Sequence, residues 1–166
     1  MGGALPPDEA ERHVPYAALR AFALAFPEAD EEFPWGHCAI KVRKKIFLSM
    51  GVTEEGFSFS IKLVDSNFEA LLLPFTEPSH YGMGKHGWVT ARFGLDATPP
   101  MAMVFDWIEE SYRAIALKSL IKRLDAEGGT ADFPRGGPKR RAKKKKKSAK
   151  KATRKKPTKK KSSRKK

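Results

Sequence analysis

The sequence predicts an α+β domain, an antiparallel sheet of about four or more strands with flanking helices, followed by a disordered basic tail. Three observations predict it. Short period-two runs follow one another between residues 39 and 63 across brief polar connections, as antiparallel strands with one dry face require. Apolar residues at helical spacing bracket those runs on both sides. Residues 135–166 then hold 20 lysines and arginines and no acid, so no core can form there. The chain divides into a disordered N-terminus (1–12), one folded domain (13–127), a Gly/Pro hinge (128–138) and the tail (139–166).

Residues 1–12 are small, polar and proline-containing. From Pro15 the apolar positions Tyr16, Leu19, Phe22, Ala23 and Phe26 make one helical stripe, which Pro27 ends. Glu28-Ala29-Asp30-Glu31-Glu32 reads as a solvated acidic connector and Phe33-Pro34-Trp35-Gly36 as a rigid link. Three strands follow: Ala39–Val42, Ile46–Met50 after a turn at Arg43-Lys44-Lys45, and Phe57–Leu63 after a turn at Glu54-Glu55-Gly56. The third alternates most cleanly, with Phe57, Phe59, Ile61 and Leu63 against Ser58, Ser60 and Lys62. Asp65 or Ser66 suits the cap of a short helix through Leu73, stopped by Pro74. A loop from Glu77 to Gly87 leads to a fourth strand, Trp88–Phe93. Pro99-Pro100 opens one long helix carrying Val104, Trp107, Ile108, Ser111, Tyr112, Ile115 and Leu120, and Gly128-Gly129 closes it. Trp88 and Trp107 are expected in the core.

The chain carries +14, yet the charge is segregated. Taking the 20 tail cations from 33 leaves 13 basic against 19 acidic residues in 1–134, a balance of −6. One cysteine excludes an internal disulfide and suits a reducing compartment. No apolar run reaches the ~18 residues of a membrane span. The first residues lack the basic and apolar regions of a leader, and Pro6 stands where a myristoylation motif needs Ser or Thr. A cytoplasmic location is expected, at the nucleoid, or in the nucleus if the source is eukaryotic.

Gly82-Met83-Gly84-Lys85-His86-Gly87 spells G-x-G-x-x-G, but a dinucleotide site needs a strand before it and a helix after it. Its inner Gly84–Gly87 matches the loop of KH domains, which joins two helices; here a strand follows. A tight turn is the expected form, with Lys85 able to meet a phosphate. His37, Cys38, His80 and His86 match no zinc spacing. His37 and Cys38 are neighbours on a strand, so they face opposite ways, and Cys38 is expected to be a small buried hydrophobe. No metal, cofactor or catalytic group is expected, and no enzymatic activity.

Phe33-Pro34-Trp35-Gly36-His37, then Ile40-Lys41-Val42 with Lys45-Ile46-Phe47, then Tyr81 with Lys85-His86-Gly87-Trp88-Val89, then Ser111-Tyr112-Arg113, resemble the MmcQ/YjbR family in the same order. The resemblance covers about residues 15–124. It implies a frataxin-like or double-wing fold, a DNA-binding label that rests on fold analogy, and no agreed catalytic residues. The tail lies outside that family core and resembles those of linker histones and bacterial histone-like proteins.

The function expected is sequence-nonspecific binding of nucleic acid, DNA before RNA. Dense polycations bind polyanions by releasing counterions. The contacts expected are Lys139, Arg140, Arg141, Lys143, Lys144, Lys145, Lys146, Lys147, Lys150, Lys151, Arg154, Lys155, Lys156, Lys159, Lys160, Lys161, Arg164, Lys165 and Lys166. Lys41, Arg43, Lys44, Lys45, Lys62 and Lys85 are the candidate contacts of the folded body. The tail could also fold back onto the acidic body. The alternative is a protein- or small-ligand-binding domain that the tail localises to nucleoid or chromatin.

Overall fold

The computed structural model describes residues 3–128. Its elements are α1 (Pro7–Ala10), α2 (Val14–Leu24), β1 (Ala29–Glu32), a 3-10 turn (Pro34–Gly36), β2 (Cys38–Val42), β3 (Lys45–Thr53) and β4 (Gly56–Lys62). Then come α3 (Asn67–Ala70), β5 (Thr76–Pro78), a second 3-10 turn (Gly84–His86), β6 (Trp88–Phe93), α4 (Met101–Ile115) and α5 (Lys118–Ala126). The six strands form one antiparallel sheet in the order β1-β2-β3-β4-β6-β5. The α+β antiparallel class expected from the sequence is the one observed, with two further strands.

Alternation decides which face is covered. Phe57, Phe59 and Ile61 of β4 lie in register with Val52, Met50 and Leu48 of β3 and with Phe93, Ala91 and Val89 of β6. Tyr16 of α2 sets its ring 6.3 Å from Phe57, and Phe22 meets Phe105 of α4 at 4.5 Å, so α2 and α4 pack on this face and on each other. Phe26, Phe47 and Tyr112 close the core at ring separations of 4.6–6.1 Å. Tyr16, Phe22, Phe47, Phe57, Phe59 and Tyr112 are all fully buried.

Residues 7–12 do not follow the expected disorder. Pro7 starts a helical turn, Ala10 is buried, and the Leu5 amide donates to the Val52 carbonyl at 2.7 Å where β2 has run out. His13 then caps α2, its Nδ1 accepting from the Tyr16 amide at 3.4 Å. The expected single last helix is two. Ala116 and Leu117 are extended (ψ 154° and 149°), and the break returns Leu120 and Leu124 to the core. The predicted tail (139–166), and all of the hinge (128–138) but Gly128, lie outside the described residues.

Three consecutive α4 residues tie distant segments together. A β-bulge between β2 and β3 leaves Phe47 without a registered partner. The fully buried Ser111 hydroxyl fills the gap, donating to the Phe47 carbonyl at 2.5 Å and accepting from the Lys62 amide at 3.1 Å. The Tyr112 hydroxyl donates to the Pro27 carbonyl at 2.8 Å. One oxygen of Glu110 accepts from the amides of Val64, Asp65 and Ser66 at 2.7, 2.8 and 3.1 Å. Ser66 sits at the cap position of α3 but makes no side-chain cap bond; the order of this loop comes from Glu110.

Candidate functional site

Among the described residues no helix layer packs on the second face of the sheet, and register shows what that face presents. One row crosses all six strands: Glu32, Ala39, Ser49, Ser60, Thr90 and Glu77. The next row holds Gly51, Ser58 and Arg92, with the His37 ring lying over Gly51. A methyl group on Gly51 would fall 2.5 Å from His37 Nδ1, so only glycine admits this approach. The centre of the face is therefore small and hydroxylated. Ser60, Thr90 and Ser79 hydroxyls form a relay with 2.8 Å steps that fastens β5 to the sheet.

Lys62 and Trp88 are paired across β4 and β6 on this open face. Trp88 is thus not packed against α4 near Trp107, as its apolar context suggested. Its neighbour Val89 is the one that points into the core, and Trp107 alone of the two tryptophans is buried there.

The six candidate body cations all reach one end of the sheet. Val42 pairs with Lys45, so Lys41, Arg43, Lys44 and Lys45 surround the β2–β3 turn. Arg43 and Lys44 take left-handed conformations (φ 47° and 69°), as a two-residue hairpin turn demands. Antiparallel pairing places the last residue of β4, Lys62, and the first of β6, Trp88, at this same end. Lys85 stands in the loop that enters β6.

Two of the six are neutralised. The stretch Glu28–Glu32 is not a solvated connector; most of it is edge strand β1, paired with β2. Its acids become counter-ions: Glu32 for the mostly buried Lys41, Glu28 for Arg43 at 3.6 Å, and Glu31 for Arg20. Among the described residues Lys44, Lys45, Lys62 and Lys85 form no ion pair. Arg92, which sequence reasoning passed over, reaches the open face but bonds Glu77 at 2.8 Å; that bond holds the Glu77 carboxyl below the usual range. Period-two counting from Phe93 would have placed it there.

The glycine-rich loop is a turn, as expected. Gly84–His86 make one 3-10 turn ended by Gly87 at φ 85°, and a strand follows. The amides of Met83, Gly84, His86 and Gly87 all donate to carbonyls of the loop, so they are not presented to an anion; Lys85 alone remains from the phosphate reading. Cys38 faces the core, away from His37, with Sγ 4.0 Å from Glu31 Oε2. Burial pushes its thiol up to about 11, which keeps it protonated and a poor nucleophile near neutrality. Among the described residues no three His, Cys, Asp or Glu side chains converge as metal ligands, and no helix is long and apolar enough to cross a membrane.

A six-stranded antiparallel sheet, helices on one face and a polar open face define an open-faced α+β domain whose free surface is the sheet itself. The crystal structure of Deinococcus radiodurans protein DR2400, a DUF419-domain protein, has this fold: it is 23% identical, with a TM-score of 0.54 over 68% of this chain and 91% of that one. The YjbR family model matches residues 24–114, and the chain belongs to the YjbR family. No curated protein matches it.

Proposed function

We propose that this protein is a non-enzymatic nucleic-acid-binding protein, directed to DNA without strong sequence preference, in which the Lys-rich segment 139–166 supplies affinity and the lysine end of the sheet guides the body. The segregation of charge carries this reading: 20 cations and no acid follow residue 134. Lysines outnumber arginines 15 to 5 there, which suits point-charge contact with phosphates over bidentate reading of bases. Lys44, Lys45, Lys62 and Lys85, gathered at one end of the sheet and without an ion pair among the described residues, support a second, weaker contact beside Trp88.

A salt titration on one duplex tests it. Fully extended, the last 32 residues span at most ~110 Å, or about 30 base pairs. With about 10 phosphates neutralised, log K falls against log salt with a slope near −9, and raising salt from ~50 to ~200 mM costs about five orders of magnitude. Truncation after Gly129 keeps the described core whole and should remove nearly all of that slope. If the truncated body keeps most of the affinity, or specific DNA outcompetes random DNA by more than about a hundredfold, the folded domain is the reader and this reading falls.

A further inference from the structure

The loop between β5 and β6 holds an aromatic ring turned wholly into solvent. Tyr81 is 100% exposed, more than any other large apolar side chain among the described residues. It is also held at φ 56°, in the left-handed region that an aromatic residue enters at a cost. Arg43 and Lys44 share that conformation because a hairpin turn demands it, whereas Tyr81 lies between paired strands, after Pro78 and before Trp88. The backbone around it is fixed. The Ser79 and Trp88 amides donate to the Trp88 and Met83 carbonyls at 3.0 and 3.3 Å and close the base of the loop. The Met83 and Gly84 amides donate to the His80 and Ser79 carbonyls at 3.2 and 3.1 Å and close its middle. The ring therefore stands on an ordered support. A cation stands beside it. Lys85 folds back over Gly82, where a methyl group would lie 3.6 Å from its Cε and 3.8 Å from its Nζ, so the ammonium is next to Tyr81's own neighbour. Lys85 forms no ion pair among the described residues. The nearest acid in sequence, Glu77, is already taken by Arg92 at 2.8 Å and His80 at 3.5 Å. The bond from the Trp88 amide to Met83 joins this loop to the Lys62–Trp88 pair.

We propose that Tyr81 is a stacking site for an unpaired base, with Lys85 on the adjoining phosphate, so that the folded body takes a single-stranded stretch of DNA. The inference rests on the nucleic-acid reading above and gives the body's weaker contact its substrate form. An aromatic ring accepts the face of any base and an ammonium accepts the backbone, so the two together hold a single strand without reading its sequence. Inside a duplex each base face is covered by its neighbours, and a solitary ring at the tip of a loop meets one only where a base has left the stack. The loop amides are spent on carbonyls, which leaves the phosphate to Lys85, with Lys62 next along beside Trp88. The left-handed backbone of Tyr81 then serves the complex: the ring is turned outward before binding, and little remains to be ordered when a base arrives. The Lys-rich segment attracts nucleic acid of either form, and this loop favours the unpaired one.

Photocrosslinking of the full chain to an oligothymidylate carrying 5-iodouracil tests the contact, since the halogenated base couples to an aromatic ring stacked on it. Adducts should map to Tyr81, and their absence there would overturn the proposal. Affinity gives a second arm, at ~200 mM salt, where the contribution of the Lys-rich segment is reduced. Tyr81→Asn removes the ring and tolerates the left-handed backbone, and it should weaken oligothymidylate binding about tenfold while duplex affinity stays unchanged. Tyr81→Phe keeps the ring and should bind as the native chain does. All three chains should melt together, because the ring is fully exposed. An unchanged oligothymidylate affinity in Tyr81→Asn would overturn the stacking, and so would a lowered melting temperature, which would make the ring structural. An equal loss on duplex would make Tyr81 a wedge between base pairs, and a loss in Tyr81→Phe equal to that in Tyr81→Asn would make it a hydroxyl contact; either result overturns the proposal. A full chain that binds neither form would sink the nucleic-acid reading and this inference with it. A chain that binds duplex with the expected salt slope but fails these tests would lose this inference alone.

Discussion

The two faces of this sheet are made by the same strands and have opposite chemistry. On the covered face Phe57, Phe59, Ile61, Leu48 and Met50 are fully buried beneath α2 and α4. One residue along on the same strands, the open face shows Ser58, Ser60, Ser49 and Gly51. Stability is concentrated on the first face because apolar area is removed from water there and close packing makes each methylene count. Among the described residues the second face has no such aromatic layer, and its lysines, Trp88 and His37 lie outside the hydrophobic core. The contrast teaches that a side chain's face, more than its apolarity, decides whether it holds the fold.

The largest effect should come from the covered face. Tyr112→Ala removes a fully buried ring packed on Phe26 and Phe47 and leaves the Pro27 carbonyl without its donor. A loss of about 3–5 kcal/mol is expected in urea unfolding, enough to unfold a marginal domain. A loss under about 1 kcal/mol would break the assignment of stability to this face.

A second effect is pH-dependent. Burial, then the charge of Glu31, raises the Cys38 thiol from 9.0 to about 11 in the folded state, against the nearby Tyr16 hydrogen bond. The folded chain therefore holds this proton where the unfolded chain has released it. The contribution is complete below about pH 9 and is lost as pH climbs through 11, on the order of 3 kcal/mol in all. The buried Tyr112 hydroxyl, pushed up to about 12 mainly by desolvation, acts in the same direction at higher pH. Melting curves at pH 8 and 10 should show a smaller pH-dependent loss for Cys38→Ala than for the native chain. An equal loss in both would mean that the thiol is not held apart from solvent as its burial indicates.

The smallest effect belongs to the open face. Trp88→Ala should cost no more than about 1 kcal/mol, the scale of a cross-strand pair with Lys62. A cost of 3–5 kcal/mol would make Trp88 a core residue and erase the difference between the faces.

These predictions follow the parts of the fold that the sequence could and could not display. β4 was legible because its two faces differ so sharply that Phe-Ser-Phe-Ser-Ile-Lys admits one orientation. β1 was not, because Ala-Asp-Glu-Glu has no apolar alternation; its strand is held by backbone pairing with β2 and by Arg20, Lys41 and Arg43, all distant in sequence. β5 was lost in a loop because three residues carry too little pattern, and hydroxyl bonds from Ser79 to Thr90 do the fastening. The break between α4 and α5 had a signal: Ile115 to Leu120 is a step of five, which one continuous helix would turn away from its stripe. The candidate cations were readable as residues, but their gathering at one end of the sheet was not, since strand order has to be known first. The neutralisation of Lys41 and Arg43 was still less visible, because it depends on Glu32 of β1 and on Glu28 just before it.

Glu110 has a consequence of its own. Three successive amides converging on one oxygen are a receptor for an oxyanion, and in solution such a cradle would sample whatever carboxylate or phosphate diffused by. Here the guest is tethered to α4, so its effective concentration exceeds that of any free anion, and the receptor is always full. The loop after β4 has thereby been converted from a place that could recognise a phosphate into a fixed strut.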